Sequence, residues 1–309
     1  KPTPLAKSRD SRAQPSDVLI SLDFYPHHVP LTSQLAPAAS AFAATCAWGV
    51  SDFVGGYASR RANPFLLTTI THVSGTSLMV FLALLFHSPF PGRHALIWAM
   101  AAGLSGGVAL AFFYRALSQG NMGLTAPVSA VLGAAIPTAF GIFTEGAPGP
   151  VPIIGFFLAG IGIWLISRSE GPTGKPRGLG TAFLAGIGFA GYFLGMREAG
   201  SGSVFWLAGM SRVVAFFTTG TIVLVARQFG PMDRTGVRWG LTAGVLDVTG
   251  SAMFIFASQT GRLDAAVLIS SLYPAITVLL ARLFLNEHFS RWKVVGLLAA
   301  LLAVPLIAS

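Results

Sequence analysis

The chain has 309 residues, of which 53% are hydrophobic and only 10% charged, so it carries more apolar surface than one water-soluble core can hide. A formal net charge of +9 would suggest nucleic acid in a soluble protein, but the basic residues stand singly or in pairs in short gaps between apolar runs, which is loop placement in a membrane protein. The single cysteine, Cys46, lies in the first apolar run, which excludes a disulfide scaffold and a cysteine-rich zinc site.

Residues 1–38 are mixed in charge, contain Pro and Ser, and hold no apolar stretch long enough to span a membrane or form a signal core, so a disordered tail is expected there. Asp10, Asp17 and Asp23 argue against a transit peptide, which avoids acids. Beyond the tail, crossing about 30 Å of hydrocarbon takes roughly 17–25 helical residues. Ten apolar runs of that order follow: 40–58, 64–86, 95–117, 123–144 and 151–167, then 179–196, 203–226, 239–260, 265–285 and 293–308. They are continuously apolar rather than alternating, unlike the strands of a membrane β-barrel. The expected fold class is all-α integral membrane, with ten transmembrane helices.

Shifting the chain against itself by 141–142 residues brings Ala41-Phe42 onto Ala182-Phe183, Phe143-Thr144-Glu145 onto Leu285-Asn286-Glu287, and Gly155 onto Gly296. One offset serving several matches indicates a duplication, with one five-helix repeat over 39–170 and a second over 171–309. Because five is odd, the second half enters from the opposite face, and two inverted five-helix repeats are expected.

The first span carries Ala47-Trp48-Gly49-Val50-Ser51-Asp52-Phe53, and the ninth carries Leu272-Tyr273-Pro274 followed thirteen positions later by Glu287. With ten spans and a duplication, these strings resemble the drug/metabolite transporter superfamily, specifically transporters built from two EamA-type domains. In the first half the glutamate is present as Glu145, but Leu132 stands where the family pattern places proline, with Pro127 and Pro137 nearby.

A charged side chain at the centre of a membrane helix costs at least about 2.5–3.5 kcal/mol, so it persists mainly where it faces a protein-lined cavity. Asp52, His72, Arg212 and Asp247 fall near the middle of their spans, within roughly 4–5 Å of the bilayer midplane at about 1.5 Å per residue. They can share one layer as a substrate-binding or proton-coupling site, since carboxylate and imidazole both take up and release protons. The plain alternative is pairing between helices, Asp247 with Arg212 or Asp52 with His72, and a satisfied core histidine is the stronger reading for His72. Trp48 and Tyr273 could stack on a ligand or simply pack. Pro127, Pro137 and Pro274 each remove a backbone hydrogen bond inside a span and are expected to kink it, freeing carbonyls that can line a cavity.

Gly191-xxx-Gly195 and Gly240-xxx-Gly244 allow close helix approach, a matter of packing. Glu145 and Glu287 end their spans and are expected to bond neighbouring loop amides. No phosphate loop, metal-ligand spacing or nucleophile elbow appears in the sequence, so no cofactor, no metal and no direct use of ATP are expected.

The resemblance implies cytoplasmic termini. The charge count disagrees: loops after odd-numbered spans carry Arg60, Arg61, Arg168, Lys175, Arg177, Arg227, Arg234, Arg238, Arg291 and Lys293, while even loops carry Arg93, Arg197 and Arg262. By the positive-inside rule the odd loops are cytoplasmic. The function expected is a secondary transporter, an exporter of amino acids or similar small polar metabolites, working by alternating access with proton coupling. Drug or organic-cation export in the same family, and an intramembrane lipid-modifying enzyme, are the alternatives. The expected partners are a small-molecule substrate and the lipid bilayer, not nucleic acid, for a monomer or homodimer passing many times through the cell membrane.

Overall fold

The computed structural model describes residues 31–119, 122–167, 178–285 and 290–307. Within them lie eleven α-helices and no strand: α1 (Leu31–Ser59), α2 (Pro64–Leu85), α3 (Arg93–Ser118), α4 (Met122–Glu145), α5 (Pro150–Ser167), α6 (Leu179–Glu198), α7 (Val204–Val225), α8 (Arg234–Thr260), α9 (Leu263–Ser270), α10 (Tyr273–Leu285) and α11 (Arg291–Ile307). Six stretches are long and apolar enough to cross a membrane: Pro64–Leu85, Arg93–Ser118, Val128–Glu145, Val204–Val225, Arg234–Thr260 and Leu263–Leu285. In a helix every internal backbone group is paired within the segment, which is what hydrocarbon demands.

Local sequence sets the helix starts. Asn63 caps α2, its side-chain oxygen accepting from the amides of Phe65 at 2.9 Å and Leu66 at 3.3 Å, while Pro64 occupies the first position, where a missing N–H costs nothing. Asp233 caps α8 by accepting from the Gly236 amide. Two boundaries differ from the sequence reading. Helix α1 begins at Leu31, so residues 31–38 are helical rather than tail, and residues 1–30 lie outside the described residues.

The ninth run is also two helices instead of one. Pro274 has no N–H to give the Ser270 carbonyl, and the chain turns at Ser271 and Leu272 on shorter-range bonds, Leu272 N to Ile269 O at 3.1 Å and Ala275 N to Leu272 O at 2.9 Å. Thr45 of α1 donates its hydroxyl to the same Ile269 carbonyl at 2.7 Å, which holds the break against α1. In the first half, α4 runs as one helix through both Pro127 and Pro137.

The packing pattern repeats when the halves are exchanged. Helix α1 packs on α8 as α6 packs on α3; α2 meets α8 as α7 meets α3; α4 lies on α6 as α9 and α10 lie on α1; and α2 pairs with α7, α5 with α11. Small residues make these contacts close. A Cβ at Gly244 in α8 would collide with the Thr71 carbonyl and the Ser74 hydroxyl of α2, and one at Gly103 in α3 with the Ser211 backbone of α7. Gly191 and Gly195 in α6 meet Ser105 and Ala102 of α3 in the same way. Gly244→Leu is therefore expected to destabilise the protein by about 3 kcal/mol, read as a lower melting temperature in detergent. Outward, large apolar side chains are bare: Phe143 is 89% exposed, Phe157 71% and Phe217 65%, the surface of a protein solvated by lipid rather than water.

Candidate functional site

Helices from both halves enclose a small internal cavity, about 40 Å³ of space for the centres of water molecules, room for a few waters. Trp48 and Asp52, one turn apart on α1, reach it together. From α7 and α8 come Arg212 and Asp247, from α6 Tyr192 and Phe193, from α3 Gly106 and Leu110, and from α4 Ser129, Ala130 and Gly133. The break between α9 and α10 contributes Ser271 and Tyr273. An aromatic cluster forms the wall: the Trp48 ring centre lies 5.8 Å from those of Phe193 and Phe254 and 6.4 Å from Tyr273, which it meets edge-on.

The charges are buried and unevenly matched. Arg212 Nη2 lies 2.8 Å from Asp247 Oδ2, an ion pair close in distance though not aligned as a hydrogen bond. The same guanidinium nitrogen donates to the Ser251 hydroxyl, and the group stands 5.6 Å from the centre of the Tyr192 ring. Ser251 in turn donates to the Asp247 carbonyl one turn back, at 2.9 Å, and Trp48 Nε1 donates to that carbonyl at 3.0 Å. Asp52 is 6% exposed, and among the described residues no cation pairs with it. The cavity thus holds two carboxylates and one guanidinium, the latter taken by Asp247. Around it stand polar groups with no hydrogen-bond partner among the described residues, the hydroxyls of Tyr192, Tyr273 and Ser271.

Of the residues singled out in the sequence, Asp52, Arg212, Asp247, Trp48 and Tyr273 come together on this cavity. His72 does not. It is fully buried in α2, outside the lining, with neither ring nitrogen hydrogen-bonded among the described residues; one turn on, a Cβ at Gly75 would lie 3.6 Å from Arg212 Cγ. The pairing of Asp52 with His72 is therefore not what the structure builds. Pro274 is the second residue of α10, next to the cavity-lining Tyr273, Pro137 is buried within α4, and Glu287 lies outside the described residues. Tyr192, Ser251 and Ser271 were missed. Ser251 had a signal, since it follows Asp247 by one turn on one helix face; Ser271 becomes significant only through the helix break beside it.

A lipid-solvated bundle of two similarly packed halves, closing on a buried charged cavity, is the architecture of a polytopic membrane transporter rather than of a soluble enzyme. The model of the EamA-like transporter family matches the chain twice, over residues 36–168 and 176–309, and the chain belongs to that family, with two EamA domains. Members of this family are membrane transporters of the drug/metabolite superfamily, so this chain is a membrane protein with a transport role. An uncharacterized protein of Methanocaldococcus jannaschii is 30% identical over 76 residues, 25% of this chain and 56% of that protein, so the match spans about half the relative's length. A solved crystal structure of a protein superposes with a TM-score of 0.68 at 16% identity, covering 87% of this chain and 95% of the other, which is a likeness of fold.

Proposed function

We propose that the chain is a secondary transporter of the cell membrane, with ten spans in two inverted halves, that exports small amine-bearing solutes by alternating access. The observation that carries this reading is the enclosed cavity at the meeting of the halves, with Asp52 buried in it and no cation beside it among the described residues. An ammonium group entering the cavity would meet Asp52 and the faces of Trp48 and Tyr273, a carboxylate and an aromatic wall that suit a cation. When the ammonium leaves, a proton on the same carboxylate keeps the site neutral, which couples export to proton entry.

Amino acids and organic cations both carry such a group. The engagement of Arg212 by Asp247 favours the second class, because an amino acid's carboxylate would have to compete with Asp247 for the guanidinium. The end of the bundle where α1, α3, α7 and α10 finish bears exposed Arg60, Arg61, Arg115, Arg227, Arg234, Arg238, Arg282 and Arg291, so we assign it to the cytoplasm.

Reconstituted into liposomes, the protein is expected to accumulate at least one member of a panel of amino acids and organic cations, saturably, and faster with an acidic lumen than without a pH gradient. Protein-free liposomes give the passive background. Turnover of a lipid with no solute flux across the panel would overturn the transporter reading.

A further inference from the structure

We propose that residues 138–145, the C-terminal limb of α4, form a gate hinged at Pro137 and latched by Glu145, closing the cavity at the end where α4, α6 and α8 finish. The proposal takes the cavity to be a solute path, as above, and identifies what shuts it on one side. Helix α4 lines the cavity through Ser129, Ala130 and Gly133 and then runs on to Glu145, about 18 Å further at about 1.5 Å per residue.

At that far end α4 is held by polar contacts to the other half. Glu145 Oε1 accepts from Arg197 Nη2 of α6 at 2.8 Å, and its Oε2 accepts from the Leu263 amide at the start of α9 at 3.3 Å. Arg262 donates to the Glu145 carbonyl at 3.4 Å and to the Gly146 carbonyl at 2.7 Å, while its guanidinium is itself paired at 2.8 Å with the buried Asp264. Arg197 also donates to the Ser258 carbonyl of α8 at 3.0 Å, so one guanidinium ties α4, α6 and α8 together. These bonds cross from the first half to the second, and in the proposed gate they part when this end opens.

The limb is built to move when they do. Pro137 lacks the N–H that would bond the Gly133 carbonyl, so the helix is weakest between the cavity-lining stretch and the latch. On one side the limb packs closely, with Gly141 against Asp264, where an added Cβ would lie 3.2 Å from the Asp264 amide nitrogen. On its other side lies an apolar groove of about 700 Å³ between α4 and α5, lined by Ala135, Ile142, Phe157, Trp164 and Leu268, into which the limb can swing. The limb therefore has a latch on its polar side and yielding space on its apolar side.

Cavity accessibility tests this without any substrate, so a failed gate is distinguishable from a failed transporter reading. In a Cys46→Ala background, Ser271→Cys reports the cavity to a membrane-impermeant maleimide, and Gly149→Cys in the exposed α4–α5 loop marks the relevant face. Glu145→Gln or Arg197→Gln should speed labelling of Ser271→Cys about tenfold from the face where Gly149→Cys reacts, and not from the other. The double variant should label no faster than Glu145→Gln alone, because both remove one contact. Unchanged labelling, or an equal rise at both faces, would overturn the proposal. Should the latch variants fail to fold, Pro137→Ala decides: stiffening the hinge should slow labelling at that face several-fold, and labelling at or above the parent rate contradicts the gate.

Discussion

Asp52→Asn is expected to lower solute flux at least about tenfold while leaving the protein folded. Asparagine keeps the shape of the side chain but removes the charge that an ammonium would pair with, and a charged hydrogen bond in a buried site is worth about 1.5–3 kcal/mol, or roughly ten- to 150-fold in affinity. It also removes the group that exchanges cargo for a proton, so whatever flux survives should no longer respond to a pH gradient. Stability should not fall. Among the described residues Asp52 makes no ion pair that the substitution would break, and replacing a buried charge with a neutral amide relieves a desolvation penalty. Flux in liposomes and the melting temperature in detergent, measured on the same preparation, separate the two effects. Flux within about twofold of the parent, with its pH response intact, would remove Asp52 from the mechanism.

Arg212→Met has the largest expected effect on stability. Arg212 is 4% exposed and Asp247 7%, so removing the guanidinium strands a carboxylate in the core, a change that costs about 3–5 kcal/mol. Ser251 and the face of Tyr192 lose their cation at the same time. Adding Asp247→Leu to Arg212→Met should recover most of the lost melting temperature, because an apolar pair of similar volume needs no charge compensation. The pattern identifies the pair as one unit. If Arg212→Met melts like the parent, the Arg212–Asp247 contact is not holding α7 to α8, and the guanidinium becomes available to a substrate carboxylate, which would return amino acids to the front of the candidate solutes.

The parts of the fold legible in the sequence were those governed by length and composition. The ten apolar runs fall on helix among the described residues, the ninth on two, and six stretches are long and apolar enough to cross a membrane; Asn63-Pro64 and Asp233 announce their caps in plain residue types. The doubling was legible too, since the offset that aligned Ala41-Phe42 with Ala182-Phe183 separates two regions matched by one family model. The break at Ser271 and Leu272 was not. Proline at 127, 137 and 274 looks alike in sequence, yet at the last a helix of the other half, through Thr45, supplies a donor to a carbonyl at the break, while α4 runs on as one helix through the other two.

At the site, polarity inside an apolar run found Asp52, Arg212 and Asp247, because burying a charge in lipid is costly enough to be rare. His72 was singled out by the same rule, with a core histidine as the stronger reading, and it lies buried in α2 outside the cavity lining. Tyr192 was lost for the opposite reason: its ring reads as one more lipid-compatible aromatic, and its place over Arg212 depends on how α6 packs on α3, where Gly106 leaves room for the ring.

That solute passes through this cavity is tested most directly by plugging it. With Cys46→Ala and Ser271→Cys, a bulky maleimide attached at position 271 fills a space with room for only a few waters. Flux of the solute identified in liposomes should fall from the rate of unlabelled Ser271→Cys protein to the protein-free background after labelling. Undiminished flux through fully labelled protein would place the path elsewhere and contradict the account.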